Sequence, residues 1–155
     1  MLAAIAGVYF VMGPKDHEHN HSEHGHSDHG HHHEAPHGGT LAVLGDHFAH
    51  MEVVLDDKAG KVTLYLLGAH AVKAVRLKQK EITLTIKAGE NKFDITTQAI
   101  ADELTGETIG DTSVFEGQSD SLKGLKKFNI TIVDINVRGK QYKNFSFDFP
   151  EGNEH

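Results

Sequence analysis

From Thr40 onward, apolar and polar residues alternate in short runs broken by Gly, Asp and Asn. Successive side chains of a strand point to opposite faces, so a period of two marks a half-buried strand. The pattern predicts strands at 40–44, 48–56, 61–67, 71–77, 81–87, 92–99, 128–137 and 141–149. No stretch carries a 3.6-residue apolar stripe, although 98–104 and 121–127 each have room for a helical turn. The expected fold class is therefore all-β, an antiparallel β-sandwich or open barrel. Asp57-Lys58-Ala59-Gly60 and Arg138-Gly139-Lys140 carry the turn chemistry of two hairpins.

The first hairpin also predicts a register. If Asp56 pairs with Lys61, residues whose numbers sum to 117 lie opposite one another, as Val54 with Thr63, Val53 with Leu64 and Met51 with Leu66. Met51, Val53, Leu55, Val62, Leu64 and Leu66 then share one apolar face, which suits a core. Extended outward, the register sets His47 opposite His70 and places His50 and Glu52 on the other face. The two pairs begin on opposite faces, so a single site needs a bulge or strand end near Asp46 to Ala49. Gly45 and Gly68 supply the backbone freedom for one.

Upstream of Thr40 the pattern stops. Residues 15–39 contain almost no apolar side chain beyond Ala35, and nothing there buries enough surface to offset the entropy of ordering. The expected division is an apolar segment over 1–13, a disordered His-rich tract over 14–39, a β-domain over 40–150 and a tail over 151–155. The apolar run from Leu2 to Met12 is too short for a full membrane span but suits a signal h-region or the remnant of an anchor. It predicts an extracytoplasmic, periplasmic setting, with membrane contact only through this N-terminal segment.

Composition removes several function classes. The chain has 155 residues and no cysteine, which excludes disulfides, thiol catalysis and iron–sulfur clusters. Its formal charge is −7, and no basic patch argues for nucleic acid. Asp56-Asp57, Asp102-Glu103 and Ser119-Asp120-Ser121 sit in turn-like stretches without a paired base, and neither HExxH nor a phosphate-binding glycine loop is present. His37, His50 and His70 with Glu52 formally supply a hydrolytic zinc set, but no motif supports catalysis. A non-enzymatic role is expected.

What remains is imidazole. Ten histidines fall within the 21 residues from His17 to His37. Neutral imidazole suits Zn²⁺, Cu²⁺ and Ni²⁺, and neighbouring carboxylates complete a shell or fix a tautomer. His17, His19, His21, His24, His26, His29, His31, His32 and His33 form many overlapping ligand sets, which predicts loose capture of metal. His37, His47, His50, Glu52 and His70 are the candidates for a defined site at one end of the first hairpin, with Gly38-Gly39 letting His37 turn toward it. Zinc is expected first, copper(II) second, and nickel less. Deletion of residues 15–36 is the change expected to separate the tract from the site.

His37-Gly38-Gly39, Gly45-Asp46-His47, His50-Met51-Glu52, the run Gly60 to Leu67 and Ala69-His70-Ala71 together resemble small β-rich domains of heavy-metal efflux, including accessory domains of cation-efflux membrane fusion proteins. The resemblance spans about residues 36–90. It implies periplasmic binding of zinc-like or copper-like ions and a metal-efflux complex as partner. The helical hairpin and lipoyl-like segments of a full adaptor are absent. The competing expectation is a protein- or polysaccharide-binding β-sandwich module with an incidental His-rich tail.

Overall fold

The computed structural model describes residues 33–153, so the apolar segment, the tract from His17 to His32 and the extreme C-terminus lie outside the described residues. Eight strands are formed: β1 (Thr40–Leu44), β2 (Ala49–Asp56), β3 (Lys61–Gly68), β4 (Glu81–Ala88), β5 (Asn91–Ala99), β6 (Val114–Gln118), β7 (Phe128–Val137) and β8 (Lys140–Phe149). They make one antiparallel sheet in the order β1-β2-β3-β6-β5-β4-β7-β8. The sheet curls until β1 approaches β8, which selects the open barrel over the sandwich.

The seam is closed by side chains. The Asn153 amide doubles as a strand partner, accepting from Val43 N–H at 2.7 Å and donating to the Val43 carbonyl at 3.1 Å, while Thr40 Oγ1 donates to the Pro150 carbonyl at 3.1 Å. These bonds occupy backbone groups that an open edge would leave unpaired.

Alternation decides what fills the barrel. Met51, Val53, Val62, Leu64 and Leu66 are buried inside with Leu84, Ile86, Phe115, Ile130, Ile132 and Ile135, as the hairpin register requires. That register runs from Asp56↔Lys61 to Ala49↔Gly68, every pair summing to 117. The outer face of β1–β3 is not left to solvent either. Leu41, Leu67 and Ala71 form a second small cluster, against which Ala35 of the incoming segment packs. His50 and Glu52, on that outer face, are consequently fully buried.

Two sequence expectations change. Residues 71–77 bury Ala71, Val75 and Leu77 but leave Lys73 exposed, and they pair only through the isolated bridges Leu67↔Ala74 and Leu77↔Thr112. The ladder position beside β3 belongs instead to β6, which no alternation announces because Phe115 is its one large apolar residue. Gly117 permits that insertion, since a Cβ there would lie 3.0 Å from the γ-methyls of both Ile95 and Thr97. Of the two helical turns, 121–127 is matched only by a 3₁₀ turn at Asp120–Leu122, capped by Ser119, whose Oγ accepts from Ser121 N–H. Residues 98–104 finish β5 and enter a turn closed by Asp102↔Glu107.

Candidate metal centre

One end of the barrel collects histidines from separate stretches of chain. His50 enters on β2, next to the last ladder pair. Its Nδ1 lies 3.0 Å from the Gly68 carbonyl oxygen; a carbonyl only accepts, so Nδ1 donates the proton of this bond. A carbonyl hydrogen-bonded to the ring in this way fixes ring orientation at metal-ligating histidines.

His47 arrives on the β1–β2 turn. Gly45 and His47 both adopt left-handed backbone, with φ of 65° and 49°, and the turn is tied by Phe48 N–H donating to the Leu44 carbonyl at 3.2 Å. The strand has ended here, so the alternation that would send His47 to the opposite face from His50 no longer applies. His70 stands on the turn after β3, which Ala71 N–H fastens to the Gly68 carbonyl at 2.9 Å.

His33 completes the group. Its ring centroid lies 4.8 Å from that of His50, 5.8 Å from His47 and 6.0 Å from His70, in edge-to-face orientations. One nitrogen from each of His33, His47 and His50 falls within 4.8 Å of the others. Nitrogens about 2.0–2.1 Å from a tetrahedral zinc are roughly 3.4 Å apart. The three nitrogens thus lie no more than about 1.4 Å further apart than in such a set. His47 is exposed, His33 half-buried and His50 buried, so the cluster reaches solvent through His47.

The remaining expected ligands are placed differently. His37 and Glu52 meet, but they meet each other: His37 Nδ1 is 2.7 Å from Glu52 Oε2, and Oε1 accepts from His37 N–H and Gly39 N–H, both at 2.8 Å. The His37 ring stacks on Tyr65 at 3.7 Å with 7° between planes. Glu52 is engaged by the segment rather than by the imidazole group. The expected His47/His70 juxtaposition becomes an arrangement in which both flank His33, because the ladder stops at Ala49↔Gly68 and both residues sit on turns. His33 itself had been grouped with the loose-capture histidines. The signal that separates it was Ala35, the lone apolar residue of the tract, which seats the segment on Leu41, Leu67 and Ala71. His17, His19, His21, His24, His26, His29, His31 and His32 lie outside the described residues.

Fold and site together define a small antiparallel β-barrel with a cluster of imidazoles at one end. No family model, no curated protein and no solved structure matches the chain.

Proposed function

We propose that this barrel binds one divalent transition-metal ion through His33, His47 and His50, with His70 adjacent, and that the preceding histidine tract captures ions loosely nearby. The observation that carries this reading is the convergence of three imidazole nitrogens within 4.8 Å, one from the segment before β1 and two from the β1–β2 turn and the start of β2. The Gly68 carbonyl adds support by orienting the most buried of the rings. Imidazole-only sets suit Zn²⁺ and Cu²⁺; with Glu52 turned to the segment, the carboxylate that favoured zinc leaves the set, and copper(II) gains by its higher intrinsic affinity for nitrogen.

The role is binding, not catalysis, and the apolar run before the tract suits an extracytoplasmic setting. Sequestration, delivery or efflux of heavy metal fits both features and the resemblance to efflux accessory domains. Among the described residues no helix is long and apolar enough to cross a membrane. Competition titration of the full chain with a chromophoric chelator tests the proposal. One tight ion followed by a broad class of weaker ones supports it; a single class of weak, interchangeable sites refutes it.

A further inference from the structure

Glu52 is the most buried carboxylate beside the cluster, fully enclosed on the outer face of β2 two residues from His50. A charge in that position is costly unless its oxygens are hydrogen-bonded. All three of its recorded partners come from residues 37–39: the N–H groups of His37 and Gly39 on Oε1, and the His37 ring on Oε2. Tyr65, the residue paired with Glu52 across the β2–β3 ladder, adds the stack that holds the same ring. Gly39 sits so close that a Cβ would lie 2.5 Å from the Val53 carbonyl oxygen. Seating residues 37–39 and satisfying Glu52 are one event, which acts beside the contact of Ala35 with Leu41, Leu67 and Ala71. His33, four residues before His37, is carried onto His50 by that event.

We propose that Glu52 is a positioning residue for the metal centre: it latches residues 37–39 to the barrel so that His33 joins His47 and His50 around one ion. This rests on the metal reading above. Glu52 touches no ion itself. Without the latch the barrel offers His47 and His50 alone, and His33 reverts to one more interchangeable imidazole of the tract.

The test is a double-mutant cycle on the full chain with His17 to His32 replaced at each histidine by asparagine, titrated with Cu²⁺. Glu52→Ala is expected to weaken binding roughly 10–100-fold, the range for outer-shell partners, and to convert the copper paramagnetic resonance spectrum to that of His33→Ala. In the His33→Ala background, Glu52→Ala is expected to change nothing further. Equal losses in both backgrounds, or no loss in either, would overturn the proposal. Amide exchange of the metal-free chain provides an independent arm. Glu52→Ala should speed exchange at His37 and Gly39 and spare the amides of β2 and β3; unchanged exchange at His37 and Gly39 rules the latch out. If the wild-type chain bound no copper, the metal reading would fail while this arm still judged the latch. Should Glu52→Ala fail to fold, Tyr65→Ser, which removes the stack on His37, replaces it in the same cycle with the same expected coupling to His33.

Discussion

His50 donates from Nδ1 to the Gly68 carbonyl oxygen at 3.0 Å, and this one hydrogen bond orients a fully buried ring at the end of the barrel where His33 and His47 stand. The bond links the last residue of β3 to the second residue of β2. Orientation of this ring is therefore a property of the ladder, not of a flexible loop.

His50→Ala should cost metal binding more than any substitution in the tract. Apparent zinc-binding energies of about 10–16 kcal/mol spread over three ligands give about 3–5 kcal/mol each, at least roughly two orders of magnitude in Kd. Loss of the donor to Gly68 should also destabilise the metal-free fold by about 1–3 kcal/mol. Calorimetric titration and denaturant unfolding of the variant separate the two effects.

Metal affinity should fall steeply as pH drops through the imidazole range, because each ligand nitrogen must be unprotonated and protons compete with the ion; free imidazole side chains titrate near about 6.5. Titrations at about pH 5 and pH 7.5 should differ by well over tenfold. Equal affinity at the two values would mean that imidazoles are not the ligands.

The hairpin that builds this geometry was legible in the sequence to the residue. Alternation of Met51, Val53, Leu55, Val62, Leu64 and Leu66 around a four-residue turn admits one register that buries them, and Ala49↔Gly68 follows from it. Beyond the ladder, alternation carries no information, so the faces of His47 and His70 could not be read from it. β6 was hidden for a related reason: a five-residue strand paired on both sides to β3 and β5 takes its stability from its neighbours, not from its own pattern. The imidazole cluster was half legible. The register pointed to His47, His50 and His70 at one end of the hairpin, whereas composition absorbed His33 into the tract, and the sequence carried no sign that Glu52 would be bonded by residues 37–39. Deletion of residues 15–36 would remove His33 with the tract; the deletion that separates tract from site ends at His32.

Gly39→Ala should weaken metal binding without unfolding the barrel. The added methyl would meet the Val53 carbonyl oxygen at 2.5 Å and the Val54 side chain at 2.8 Å, which forces the segment carrying His33 away from β2. A drop in affinity of roughly tenfold, comparable to loss of an outer-shell partner, with a lowered unfolding midpoint as buried Glu52 loses its N–H donors, is the expected pair of results from titration and thermal melting.

Phe115→Ala should destabilise the barrel by about 3–5 kcal/mol, since its ring is fully buried on the central strand β6. Leu104→Ser, at a residue 97% exposed, should change stability by no more than about 0.5 kcal/mol. Urea unfolding of the two variants checks the contrast.

Asp57 should titrate below the ordinary carboxylate range, chiefly because Lys126 hydrogen-bonds its carboxylate at 2.6 Å. A carboxyl depressed in the folded state contributes stability above its unfolded value and loses that contribution as pH falls through the folded one. Lys126→Met should return Asp57 to the ordinary range, as read by a carboxyl-carbon NMR titration, and remove that share of the acid-side pH dependence.

The central claim is that one ion belongs to the barrel and not to the tract. Metal content of the full chain with every histidine from His17 to His32 changed to asparagine tests it most directly, measured after dialysis against zinc or copper(II). The account predicts close to one ion per chain, falling to none when His33, His47 and His50 are also replaced. Loss of all metal with the tract histidines alone, or retention after the three barrel-end histidines are gone, would contradict it.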